Sequence, residues 1–187
     1  DAGSAIIIPR KALNLLKATL PGENTEVSID FNLANAFFRF GNIKMICRLI
    51  DERFPDYENV IPTQNPIKMT INRAELLGSL KRIAIYANKT THQVRLKITG
   101  SSLQVSAEDL DFSNEANERL ACEHEGDDIE IGFSARFLVE ILSNLDCESV
   151  RLSMSAPNKA GLIVPAQKTA NEDTLMLVMP VMLNQYV

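Results

Sequence analysis

At 187 residues the chain is long for one domain and short for two complete ones, and 45% apolar with 23% charged residues is ordinary for a globular protein. A chain of this size buries a core without disulfides or metal. No apolar run approaches the roughly 20 residues of a membrane helix, and the start "DAGSAIIIPRK" lacks the basic and apolar regions of a signal peptide, so the expected address is the cytoplasm. The net charge of −5 argues at first against nucleic acid. It is segregated, however: residues 5–20 and 67–85 each carry a local +3, leaving −11 on the rest. That distribution suits a local anionic partner.

In chain order, "AIIIPRKALNLLKATL" (Ala5–Leu20) predicts a short β-prone run and then an amphipathic helix, with Pro9 at its first position. Leu13, Leu16 and Leu20 share one side, widened by Ala12 and Leu15, and Arg10, Asn14 and Lys17 share the other. "EVSIDFN" alternates as a strand does. "LIDERFPDYENVIP" then packs two aromatics, four acids, one arginine and two prolines into fourteen positions. It reads either as a charged turn, with Arg53 pairing Asp51 or Asp56, or as a shaped docking surface.

"IKMTINRAELLGSLKRIAI" (Ile67–Ile85) repeats the first plan, with Asn72 as N-cap. Leu76, Leu77, Leu80 and Ile83 are expected inward, and Ser79 and Arg82 outward. A solvated charged face is ordinary for such a helix, but two nearly acid-free helices in an acidic chain favour phosphate contacts that carry no base reading. "QVRLKITG" and "SLQVSAE" follow as strands. Cys122 and His124 share one strand face, so geometry permits a nucleophile–base pair, yet Glu123, Glu125, Asp127 and Asp128 disfavour a thiolate. With no Gly-rich phosphate loop and no metal-ligand spacing, the chain is not expected to be an enzyme, and neither cofactor nor metal is expected. Cys47, Cys122 and Cys147 read as unpaired thiols.

"IEIGFSARFLVEILSNL" (Ile129–Leu145) is the third copy, with Ser134 as N-cap. Pro9 to Asn72 is 63 residues and Asn72 to Ser134 is 62, with Leu13, Leu76 and Leu138 at one common offset. The unit is strand–helix–strands, present three times. "SVRLSMS" is a further strand, and "TLMLVMPVML" on its own reads as an interior strand.

Here the residues meet a known pattern. "RLIDERFPDYENVIP" closely resembles the signature at the junction of the second and third domains of the bacterial sliding clamp, the beta subunit of DNA polymerase III. "IIIPRKALNLL" upstream, and "IEIGFSARFLVEILSNLDCESVRLSM" and "VMPVML" downstream, match the same family in register over essentially the whole chain. The resemblance implies an α+β DNA-clamp fold of repeated strand–helix–strands units, with antiparallel sheets outside and helices lining an inner face. It implies that residues 1–62 are the latter half of an incomplete second domain and residues 63–187 the third domain. It also implies a processivity factor, a head-to-tail homodimeric ring that encircles duplex DNA.

On that resemblance Arg10, Lys11, Lys17, Arg73, Lys81 and Arg82 face the DNA as a nonspecific bearing. Pro55, Val60, Ser134, Phe137, Leu177, Met179, Pro180, Val181, Met182 and Leu183 wall a pocket for linear peptides of the polymerase III catalytic subunit, the clamp loader and repair polymerases. Part of that pocket is implied to come from a segment before Asp1. Ile85, Tyr86, Asp111, Glu115 and Glu118 meet the second subunit, although an acidic edge also serves simply to block stray strand pairing. Asn59, Thr91 and the extra residues Asn184, Gln185, Tyr186 and Val187 depart from the family pattern and bear on peptide preference. The rival reading is a protein-interaction module that never meets DNA.

Overall fold

Where apolar and polar residues alternate, strands form and bury the apolar side. The computed structural model describes residues 5–22, 24–167 and 172–183, so the expectation for Asn184–Val187 lies outside the described residues. The chain divides into two units, Asp1–Asp56 and Tyr57–Val187.

The first unit holds α1 (Arg10–Thr19) and an antiparallel sheet in the order β1 (Ser28–Phe31), β2 (Asn35–Phe40), β3 (Ile43–Arg48). Pro9 is the N-cap and not the first helical residue. Its fixed φ and missing N–H suit either place. The buried cluster is small, Ala36, Phe38 and Phe40, with Ile8, Leu16 and Leu20 packed against it. No α1 residue is buried. Leu13, expected inward, is half exposed and so is Leu15, because only the Leu16–Leu20 edge of the stripe reaches β2. The run Ala5–Ile8, expected as a strand, does not form one. It is tied to the rest of the unit by the packing of Ile8 and by the Ile50 amide, which donates to the Ile7 carbonyl at 3.0 Å.

The second unit contains two copies of the repeat. The first is β4 (Ile67–Asn72), α2 (Arg73–Ile83), β5 (Gln93–Thr99), β6 (Ser102–Asp109) and β7 (Asn114–Ala121), with the short β8 (Glu123–Glu125) appended. The second is β9 (Ile129–Ser134), α3 (Ala135–Asn144), β10 (Ser149–Met154), β11 (Gly161–Pro165) and β12 (Met176–Val178). The copies exchange their leading strands. One sheet runs β7-β6-β5-β9 and the other β12-β11-β10-β4-β8, so each copy's three trailing strands are completed by the other's first strand.

Register makes the equivalence residue-specific. Ser149 pairs with Asn72 and Gln93 with Ser134, each the opening residue of a trailing strand opposite the other copy's N-cap. The first helical amides follow suit: Arg73 N donates to Glu148 O at 2.9 Å and Ala135 N to His92 O at 2.8 Å. Each helix start is thereby tied to the opposite copy, and one orphan amide per helix is satisfied.

The core lies between the two sheets and the paired helices. Leu76, Leu80 and Ile83 of α2 join Leu138 and Leu142 of α3, Leu96 and Val105 of one sheet, and Met69 and Leu152 of the other. α2 packs on α3 and on β4, β6, β7 and β10, while α3 packs on β9 and β12. Ser79, expected outward, is fully buried, since it sits three residues after Leu76 and four before Ile83, inside the apolar stripe. The caps differ as well. Asn72 Oδ1 accepts from Glu75 N at 3.1 Å, a bond worth about 1 kcal/mol. Ser134 occupies the N-cap of α3 without making a side-chain capping bond.

Candidate functional site

The cations expected to meet DNA fall into two groups. Arg10, Lys11 and Lys17 on α1 and Lys81 on α2 are exposed. Among the described residues none of the four has a carboxylate within 4.0 Å. Arg73 and Arg82 are engaged. Arg73 donates from Nε to Cys147 O at 2.8 Å and from Nη1 to Leu142 O at 3.1 Å. It thereby ties the start of α2 to the last turn of α3 and to the segment after it, and any contact with DNA falls to its remaining N–H groups. Arg82, though exposed, donates from Nε and Nη2 to the two carboxylate oxygens of Glu118, both at 2.7 Å. Residues expected to serve two different surfaces are thus one bidentate pair joining α2 to β7.

This pair titrates. Its hydrogen bonds hold the Glu118 carboxyl below the usual range, outweighing its partial desolvation, and they raise the Arg82 guanidinium. A lowered carboxylate value stabilises the fold above the ordinary Glu pKa, and the contribution is lost as pH falls through the lowered value. The melting-temperature gap between the chain and Glu118→Gln should therefore narrow between roughly pH 5 and pH 3. The pair is solvent-screened, so the gap itself should be small. Thermal melts across that range check it, and a gap that widened on acidification would contradict the assignment.

β7 is an outer strand of its sheet, and Glu115 on it is exposed. Asp111 is exposed in the β6–β7 turn. Ile85, 76% exposed, and Tyr86 belong to a 3-10 turn (Ala84–Tyr86) that packs on β6 and β7. The sequence reading missed two neighbours. Leu110 and Phe112 are exposed in the β6–β7 turn, and Lys89 Nζ stands 5.6 Å from the centre of the Phe112 ring. "DLDF" was legible as an apolar pair in a turn, where no core demands it.

The peptide-site residues come from several elements. Pro55 belongs to the first unit and is exposed; Val60 is exposed in a 3-10 turn (Glu58–Val60) of the second. Ser134 is nearly buried at the end of β9, and Phe137, 60% exposed, stands in the first turn of α3. "TLMLVMPVML" is not an interior strand. β12 covers only Met176–Val178 at a sheet edge, after which Met179 and Met182 are exposed. Val181 N donates to Gly132 O at 2.9 Å, an isolated bridge that lays the segment along β9 just before α3. Gly132 leaves room for this: a Cβ there would stand 2.6 Å from Val181 O and 2.8 Å from Leu183 Cδ2. β12 also touches α3. The bridge thus sets Val181 beside β9, whose last residue is Ser134 and which α3 with Phe137 follows. Leu177 lies on β12, opposite Leu162 of β11, and Pro180 and Leu183 are half-buried next to Val181 and Met182.

A cavity of about 610 Å³ lies elsewhere, on the polar face of the four-stranded sheet. Arg95 in its lining bridges Glu130 and, at 3.7 Å, Glu108. Asp111 and Glu115 also line it, and none of the peptide-site residues does. As for catalysis, Cys122 is buried and burial pushes its thiol up, which opposes thiolate formation. Among the described residues no cluster of His, Cys, Asp or Glu could hold a metal ion, and no helix is long and apolar enough to cross a membrane.

Against known proteins, residues 58–182 match the model of the DNA polymerase III beta subunit, C-terminal domain, and residues 1–56 that of the central domain. The chain belongs to the DNA polymerase III beta subunit family. The beta sliding clamp of Pseudomonas putida is 30% identical over 95% of this chain and 47% of its own length. That of Vibrio cholerae is 29% identical over 97% and 49%. A solved sliding clamp of Pseudomonas aeruginosa is similar with a TM-score of 0.88 at 30% identity, over 95% of this chain and 48% of that one. A Bartonella birtlesii clamp bound to griselimycin follows at 0.85 and 29%, over 96% and 48%. The chain spans about half the length of the beta clamps it matches. It shares their α+β clamp fold, with antiparallel sheets backing the helices.

Proposed function

We propose that this chain is part of a sliding-clamp subunit, a non-catalytic processivity factor that encircles duplex DNA and tethers other replication proteins. The observation that carries the reading is the run of two consecutive clamp-domain matches along the chain, residues 1–56 and then 58–182. In this reading residues 1–62 are the latter half of the second clamp domain and residues 63–187 the third. Arg10, Lys11, Lys17 and Lys81 meet backbone phosphates, a sequence-blind contact compatible with sliding. Arg82 joins them only by exchanging Glu118 for phosphate. The interface with a second subunit is built on Ile85, Tyr86, Asp111, Glu115 and the outer strand β7, with Glu118 holding that strand to α2. Such a subunit works in the cytoplasm.

Linear peptides from the polymerase III catalytic subunit, the clamp loader and repair polymerases are proposed to dock at the β9–α3 corner. Exposed Phe137, Met179 and Met182 suit this role, because each buried apolar anchor contributes about 1.5–3 kcal/mol and methionine adapts to varied partners. That a related clamp was solved bound to griselimycin supports a ligand site in such proteins. NMR titration with a peptide carrying adjacent leucine and phenylalanine anchors tests the reading. Shifts should centre on Phe137 and Met179, and Phe137→Ser should weaken binding at least about tenfold. Unchanged affinity in Phe137→Ser would overturn the site.

A further inference from the structure

We propose that Met179 and Met182 form a reversible oxidation site through which a peroxide closes the β9–α3 corner to linear peptides, an inference that rests on the peptide-site reading above. The six methionines of the chain divide sharply by exposure. Met179 is 60% exposed and Met182 73%. Met69 and Met154 are fully buried in the core of the second unit. Met176 is half-buried against that core, and Met45 against the small cluster of the first unit. The two exposed thioethers thus share one segment, on either side of Pro180 and the bridging Val181.

The fold explains why exposure begins there. β12, which pairs Met176 with Ile163, ends at Val178. Beyond it the segment is held to β9 through its backbone, by the bond from Val181 N to Gly132 O. That bond fixes the course of the chain and leaves the side chains of Met179 and Met182 uncovered.

Oxidising a thioether takes access and no ionisation. A sulfur lone pair attacks one oxygen of hydrogen peroxide, the S–O bond forms as the O–O bond breaks, and the other oxygen leaves as water. Sulfur loses two electrons and the peroxide gains them. Thiols, the usual competitors, react as thiolates. Burial pushes up the thiols of Cys122 and Cys147, and Cys47 is half-buried against the first unit's cluster. Met179 and Met182 are therefore the sulfurs that a peroxide reaches first.

The product replaces a flexible apolar side chain with a polar one. Seating an apolar anchor against it means stripping water from a sulfoxide oxygen with no hydrogen bond in return. The fold itself is spared, because neither residue belongs to a core cluster. Methionine sulfoxide reductases reverse the change, one for each epimer. A dithiol supplies the two electrons, becomes a disulfide, and the oxygen departs as water.

The test treats the 187-residue chain with hydrogen peroxide, maps the oxidised methionines by mass spectrometry, and follows binding of a peptide with leucine and phenylalanine anchors by NMR. Met179 and Met182 should each gain one oxygen well before Met69 and Met154. Peptide affinity should then fall at least about fivefold, the loss of one modest contact, and sulfoxide reductases with a dithiol should restore it. In the double variant Met179→Leu, Met182→Leu, peroxide should leave the variant's own starting affinity unchanged. Oxidation of both methionines without loss of affinity would overturn this inference and leave the site standing. So would a loss that persists in the double variant, or core methionines that oxidise first. A chain that binds no peptide before peroxide is added would overturn both.

Discussion

Reversing the charges of Arg10, Lys17 and Lys81 together should sharply weaken the affinity of a full-length subunit for duplex DNA and flatten its salt dependence. If each cation neutralises one phosphate, the slope of log K against log salt should fall by about 2.7, at roughly 0.9 per contact. The choice of residues follows from the structure. Arg82 is bound bidentately by Glu118, so reversing it also strands a carboxylate on β7 and mixes two effects. Arg73 is the built-in contrast. Because it holds the Leu142 and Cys147 carbonyls, Arg73→Gln should lower thermal stability and leave the DNA slope alone. Binding isotherms at several salt concentrations check both. A triple variant with an unchanged slope would favour the interaction-only module over the DNA bearing.

Gly132→Ala should detach the C-terminal segment from β9. The new Cβ would lie 2.6 Å from the Val181 carbonyl oxygen, a backbone atom that cannot swing aside as a side-chain tip can. The Val181–Gly132 bridge would open, and the residues flanking it, Pro180, Met182 and Leu183, would lose their hold along β9. Peptide affinity should fall at least about tenfold, as for loss of an anchor contact. Stability should fall much less, since β12 remains paired with β11 through Gly161↔Val178. Amide exchange at Val181 should rise in step. Unaltered protection at Val181 together with normal peptide binding would contradict this account of the tail.

Much of this arrangement was legible in the residues themselves, for local reasons. Asn72 and Ser134 open helices where the N-cap preference and the 3.6-residue stripe coincide, and "QVRLKITG" and "SVRLSMS" became β5 and β10 because period-two alternation reports one buried face. The 62-residue spacing between Asn72 and Ser134 anticipated two equivalent copies, though not that they would trade leading strands. What stayed hidden depends on partners far apart in sequence. Arg73 reaches carbonyls 69 and 74 residues away, and Arg82 finds Glu118 36 residues on. Nothing in a basic helical face distinguishes a solvated cation from one already claimed. Ser79 was placed outward from its polarity although its spacing put it on the apolar stripe. The run Ala5–Ile8 has strand propensity but lacks, among the described residues, the second copy's sheet that β4 and β9 each enter.

Topology provides the most direct test of the clamp assignment. A full-length subunit loaded onto nicked circular duplex should stay bound through a wash at high salt, where contacts made by charge alone fade. Cutting the circle once should then release it from the ends. Loss from intact circles at the same rate as from linear DNA would mean that the protein grips duplex without encircling it, and the assignment would fail.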